Sequence, residues 1–286
     1  MLLPPMNGRV PRVAIVRSCL RDGRGGSTTA VVEETPLSDD ERRRIPLMTG
    51  ASHAVFVAAG EGRAALRFFT AEGELPACGH GTIAALAFLA GNQRFRGVLR
   101  TAAGAFTGWS QNDGGQLRAG FETGPVEFRE PRPQELRPVL AALGIAPDDA
   151  VPGASIASIG RERMLVPLGS RSALAALEPD FTGLRAVCDR LGLLGCYVYS
   201  RPDSGSRLAA RMFAPSIGVE EDIANANSTA CLAALLAGQG LSSITVDMGD
   251  ALGSPAAITA AAPAGSRAGI RLGGTAIVSS RDTLAL

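Results

Sequence analysis

The chain has 286 residues, 46% hydrophobic and 19% charged, with 28 basic side chains against 27 acidic ones. That length carries one large domain or two smaller ones, each able to bury a core, and the near balance of charge argues against a nucleic-acid groove or an anionic membrane as partner. Every basic side chain is arginine. Without lysine there is no internal Schiff base to pyridoxal phosphate, no lysine aldolase chemistry and no Walker lysine on a phosphate.

In chain order, the opening stretch MLLPPMNGRVPR is broken by proline and has no apolar core long enough for a signal peptide, so a soluble cytoplasmic protein is expected. RVAIVRS, TAVVEE, HAVFVAA and AALRFFTA follow as short, β-rich segments separated by turn residues. Next comes ELPACGHGTIAALAFLAG, Glu74 to Gly91, in which one of only two histidines sits between glycines ahead of an apolar run. The run from Ile83 to Ala90 is far too short to span a bilayer. Its Ala and Leu content favours helix, and being hydrophobic on all sides it predicts a helix buried all round.

GPVEFREPRPQELRP, Gly124 to Pro138, is rich in proline and charge and reads as a join, dividing the chain into 1–124 and 125–286. An amphipathic helix, PQELRPVLAALG, opens the second half. CYVYSR, LAARMFA, SITVDMG and GIRLGGTAIVSS are further strands, the last a candidate to return to the first half. The five cysteines (Cys19, Cys78, Cys188, Cys196, Cys231) are scattered without a CxxC, and two histidines do not complete a usual structural zinc site beside them. Reduced thiols, no metal and no cofactor are expected.

Two segments look alike. RFFTAEGELPACGHGTIAALAFLAG, Arg67 to Gly91, and RMFAPSIGVEEDIANANSTACLAALLAG, Arg211 to Gly238, both begin Arg-x-Phe and end in an apolar run closing on Leu-Ala-Gly. An offset of about half the chain suggests one duplicated domain. The simplest architecture is α+β: two pseudo-symmetric barrel-like β domains, each wrapped around a central apolar helix.

The two helices begin at Cys78-Gly79-His80-Gly81-Thr82 and at Asn225-Ala226-Asn227-Ser228-Thr229. Helix N-termini carry unpaired N–H groups and partial positive charge, so they suit carboxylates, and glycine lets a ligand approach the main chain. If the halves face each other, a small carboxylate lies beside His80 on one side and Asp222 on the other. Plainer readings stand beside this one. Asn227 or Ser228 serves equally as an N-cap, and Asp222 as a solvated turn residue. Cys78 reads as structural or as a weak contact, because neighbours on one turn rarely aim an imidazole at a thiol.

At these residues the sequence resembles the PhzF family of the diaminopimelate-epimerase-like superfamily. GGSTTAVVEE, Gly25 to Glu34, is similar to the family's GNPxAVV segment and LSDDERRRI to its following helix; ELPACGHGT and RMFAPSIGVEED are similar to its two signature stretches. The resemblance implies a site between the halves, no cofactor, commonly a homodimer, and His80 and Asp222 as site residues. Family members use a glutamate in a Ser-Glu-Thr segment as acid/base. Here the matching place is Ser52-His53-Ala54, so the glutamate has become the second histidine.

Imidazole titrates near 6.5 and shuttles protons at neutral pH unshifted. The catalytic candidates are therefore His53, His80 and Asp222, with Ser52, Gly79, Gly81, Thr82, Ala226, Asn227 and Ser228 as substrate-binding candidates. The implied activity is a cofactor-independent shift of a proton and double bonds in a small unsaturated cyclic amino acid or carboxylate. By analogy this belongs to antibiotic pathways such as those to phenazines and 4-alkylproline units. An amino-acid epimerase and a non-catalytic carboxylate-binding protein remain as alternatives.

Overall fold

Both apolar runs are helices, and each is surrounded. The computed structural model describes residues 11–91, 93–114, 116–146, 151–263 and 269–283; the first ten residues of the proline-broken opening stretch lie outside these. The first half contains β1 (Arg12–Ser18), β2 (Ser27–Glu33), α1 (Asp39–Thr49), β3 (His53–Gly60), β4 (Arg63–Phe69), β5 (Glu74–Leu75), α2 (Gly79–Ala90), β6 (Arg94–Thr101), β7 (Gly104–Asp113) and β8 (Gln116–Glu122). The second contains β9 (Glu127–Arg129), α3 (Pro133–Ala142), β10 (Ser155–Ile159), β11 (Arg161–Leu168), α4 (Arg171–Ala175), α5 (Phe181–Leu191), β12 (Cys196–Ser200), β13 (Arg207–Ala214), β14 (Val219–Asp222), α6 (Ala226–Ala237), β15 (Ser243–Met248), β16 (Ala256–Ala261) and β17 (Arg271–Thr283).

The ladders β1-β2-β3-β4-β6-β7-β8-β17 return to β1 and close an eight-stranded barrel. Helix α2 packs against every strand of that ring. This is why Ile83, Ala84, Ala85, Leu86 and Ala87 are buried without a polar face between them, each large aliphatic side chain contributing about 1.5–3 kcal/mol by leaving water. The second half repeats the order as β9-β10-β11-β12-β13-β15-β16-β17 around α6. In both halves a parallel pair of strands brackets the helix, β4 with β6 and β13 with β15.

The halves exchange their last strands. Strand β8 pairs with β17 and then runs on into β9, which pairs with β10 of the second half. Strand β17 begins on β16 and continues along β1, from Ala276 to Thr283. Among the described residues no helix is long and apolar enough to cross a membrane. The exchange and the duplication together bring the starts of α2 and α6 face to face.

Candidate active site

Helix α2 starts from Cys78, an extended N-cap residue whose side chain makes no capping bond. Helix α6 starts from Asn225, whose side chain accepts from the Ser228 N–H at 2.9 Å. The cap is thus Asn225, and neither Asn227 nor Ser228 fills that role. The two starts abut: a Cβ on Gly79 would lie 2.5 Å from the Cβ of Ala226. Two positive helix ends in contact favour a negative group beside them, and the Asp222 carboxylate is there.

His53 opens β3, and His80 lies in the first turn of α2. They are 3% and 2% exposed. His80 Nδ1 lies 2.8 Å from the carbonyl oxygen of Ala224, which can only accept, so Nδ1 carries hydrogen. Its Nε2 then faces His53 Nδ1 at 3.0 Å, with the rings edge to face at 77°. Ser52, exposed at the surface, places its hydroxyl 3.0 Å from the same His53 Nδ1 and 3.2 Å from Ser27 Oγ. Among the described residues His53 Nε2 has no protein partner, leaving it as the nitrogen that can meet a ligand.

Asp222 is 8% exposed, so it is not a solvated turn residue. Asn225 Nδ2 donates to its Oδ2 at 3.0 Å and the Ala224 N–H to its Oδ1 at 3.3 Å. Its Oδ1 stands 3.8 Å from His80 Nδ1. The expected carboxylate between His80 and Asp222 therefore has no room, because β14 and the short link to α6 press the two groups together. On the His53 side of the cluster the neighbouring Ser52 is exposed.

Electrostatics divide the two imidazoles. Burial pushes His53 well below the usual histidine value, and the neighbouring charge of His80 adds to this. Burial acts on His80 in the same direction, but the Cys78 sulfur, the Asp222 carboxylate and the Ala224 carbonyl more than offset it and hold it at about 10. Burial thus opposes charge on His53, while the neighbours of His80 favour charge there.

Both glycines flanking His80, expected to let a ligand near the main chain, also make room for neighbouring side chains. Gly79 makes room for Ala226. A Cβ on Gly81 would lie 3.0 Å from Cys78 Sγ and 3.1 Å from the Phe68 ring. That space lets Cys78, lying outside the helical turn, fold back so that Sγ is 3.5 Å from His80 Nε2. The expectation that thiol and imidazole miss each other fails for this reason. Cys78 is the site residue that sequence reasoning missed, and its N-cap position was the available signal.

Thr82 Oγ1 donates to the Cys78 carbonyl, and Ser228 Oγ contacts Met212 Sδ at 3.5 Å, so both hydroxyls are engaged within the fold. Asn227 is half-buried and its amide has no partner among the described residues. It is the free polar side chain at the start of α6. His53, His80 and Cys78 also form a buried group whose donor atoms lie within 4.8 Å of one another, three donors where a closed structural zinc site has four.

Two barrels that exchange strands, each around a central helix, make a fold of the diaminopimelate-epimerase-like type. A solved structure described as a predicted epimerase from Pseudomonas aeruginosa superposes with a TM-score of 0.82 over 96% of this chain and 99% of that one, at 23% identity. Residues 21–281 match the model of the phenazine biosynthesis-like PhzC-PhzF family, and the chain belongs to that family. An uncharacterised isomerase of Deinococcus radiodurans is 31% identical, with 82% of this chain and 81% of that one covered. The trans-2,3-dihydro-3-hydroxyanthranilate isomerase of Pseudomonas chlororaphis is 31% identical over 76% of each chain. The chain thus stands in a family of isomerases.

Proposed function

We propose that this protein is a cofactor-independent isomerase that moves a proton, and with it the double bonds, within a small unsaturated cyclic amino acid or related carboxylate. The observation that carries the reading is the buried contact of 3.0 Å between His53 Nδ1 and His80 Nε2. In the starting state His80 is charged and donates from Nε2 to His53 Nδ1, while His53 keeps its own proton on Nε2. Delivery of that proton to one substrate carbon draws the His80 proton across to His53 Nδ1. The freed Nε2 then removes a proton from another carbon, and the Nδ1 proton returns to His80. No proton is gained or lost, and the double bond has moved.

Asp222 opposes the charge of His80 throughout, with its oxygens fixed by Asn225 and the Ala224 N–H. Asn227, half-buried at the start of α6, offers two donors and an acceptor to hold the carboxylate and orient the ring. The isomerase from Pseudomonas chlororaphis acts, by its name, on a dihydro-hydroxyanthranilate, which supports a cyclic, partly unsaturated amino acid here. A dienyl or pyrroline-type carboxylate of an antibiotic pathway is the substrate proposed, with a cytoplasmic homodimer as the working form.

The test is an NMR assay of such carboxylates in D₂O. Deuterium at a ring or side-chain carbon together with a displaced double bond, lost in His53→Ala, is expected. Binding shifts without deuterium at any carbon would instead make this a carboxylate-binding protein. The 3.5 Å approach of Cys78 Sγ to His80 Nε2 favours one second reading, an α-carbon epimerase. Exchange at the α-carbon with inversion and an unmoved double bond would select it.

A further inference from the structure

The donor atoms gathered where β3 meets the start of α2 are those a zinc-like metal ion takes. We propose that His53, Cys78 and His80 form a binding site for a divalent d-block cation of the Zn²⁺ type, with one coordination position left open. The site goes beyond the isomerase reading and does not depend on it; only its consequence for the proton relay rests on that reading.

Distances carry the argument first. In a tetrahedral site with metal–nitrogen bonds of about 2.05 Å and metal–sulfur bonds of about 2.3 Å, neighbouring nitrogens lie about 3.3 Å apart and nitrogen and sulfur about 3.6 Å apart. Here the two imidazole nitrogens are 3.0 Å apart, and sulfur is 3.5 Å from His80 Nε2. All three side chains are more than nine-tenths buried. Two imidazoles and a thiolate form a donor set that selects zinc-like ions over magnesium or calcium.

The surroundings aim these donors. The Ala224 carbonyl accepts from His80 Nδ1–H at 2.8 Å, which fixes the ring and points the other nitrogen inward, the usual outer support of a metal-bound histidine. Cys78 makes no capping bond at the helix start, and its side chain turns toward His80 instead. Charge also closes, since a dication, the Cys78 thiolate and the nearby Asp222 carboxylate sum to zero. The exposed Ser52 hydroxyl beside His53 marks the entry side, where water or an anionic ligand takes the fourth position.

The cation and the shared proton need the same lone pairs. A bound ion therefore blocks proton transfer between the imidazoles, and metal occupancy switches the relay off. Chemistry and inhibition share one site.

The test uses the full chain, freed of metal by a chelator and titrated with Co²⁺ without oxygen. One equivalent should bind with tetrahedral d–d intensity and a thiolate-to-cobalt charge-transfer band, both displaced by Zn²⁺. Cys78→Ser should abolish the charge-transfer band, and His53→Gln should weaken binding by roughly tenfold or more, since even outer partners of metal ligands are worth that. A wild-type protein that forms no one-to-one complex in millimolar Co²⁺ overturns the proposal. So does a charge-transfer band that survives in Cys78→Ser, because another thiol would then be the ligand. If Cys78→Ser does not fold, an unchanged cobalt affinity in His53→Gln overturns it equally. The readout is spectroscopic, so it stands whether or not a substrate turns over.

Discussion

At the start of α2 the N-cap is Cys78, which caps nothing; at the start of α6 it is Asn225, which accepts from Ser228 N–H and also holds Asp222. Otherwise the two starts are built alike. Thr82 Oγ1 bonds the Cys78 carbonyl at 2.8 Å and Thr229 Oγ1 the Asn225 carbonyl at 2.9 Å. The strands match too, with Ala54 opposite Phe69 in one half and Cys196 opposite Phe213 in the other. That register sets His53 against Gly195, which has no side chain and whose Cβ would meet the Phe213 carbonyl at 2.0 Å. Duplication supplies the frame, and the buried titratable side chains lie where the copies depart from each other. One start carries the titrating groups; the other anchors the carboxylate that steadies them.

The largest expected effect comes from removing the departure itself. His53→Ala should lower turnover by about 10²–10⁴-fold, measured as the initial rate of deuterium incorporation. A rate within about threefold of wild type would place the proton carrier elsewhere.

Breaking the contact between the starts comes next. Gly79→Ala forces a methyl into Ala226 and should destabilise the fold by about 1–3 kcal/mol. The double variant Gly79→Ala, Ala226→Gly should recover most of the loss, as read from denaturation midpoints. Additive losses would mean that the two starts do not press on each other as described.

A smaller effect separates the caps. Asn225→Ala should cost about 0.5–2 kcal/mol, with faster amide exchange in the first turn of α6 and unchanged exchange in α2. Equal acceleration at both starts would erase the distinction between them.

The pH dependence is the finest probe. Folding raises the affinity of His80 for its proton, so the stability it lends is complete below about pH 6.5 and is lost as pH rises through about 10. His53 runs oppositely: neutral in the fold, it contributes above about pH 6.5 and loses that contribution on acidification. Each slope is at most about 1.4 kcal/mol per pH unit. Urea titrations of His80→Gln should flatten the alkaline limb alone, whereas an unaltered limb would assign it to another group.

The frame was legible because its signals are local. Alanine- and leucine-rich runs with no polar face announce buried helices, and β-branched runs such as RVAIVRS, which is β1 residue for residue, announce strands. Strand β6, RFRGVLRT, escaped notice because arginines on its solvent face mask the alternation, and β16, AAITAA, because alanine is a poor strand former. The amphipathic α5 was missed as well. Both histidines could be marked as site residues, yet their contact could not. It depends on β3 and α2 meeting inside a barrel that closes only when β17 returns to β1. The pairing of Cys78 with His80 was hidden for a subtler reason: it needs the missing side chain of Gly81, and one glycine can serve a ligand or a neighbour with the same letter.

The central claim is that one proton is held between two unlike imidazoles. ¹⁵N NMR of the histidine side chains at pH 7 tests it most directly. A His80 ring protonated on both nitrogens and a neutral His53 ring carrying its hydrogen on Nε2 are expected. Two neutral rings, or a charged His53 beside a neutral His80, would contradict it.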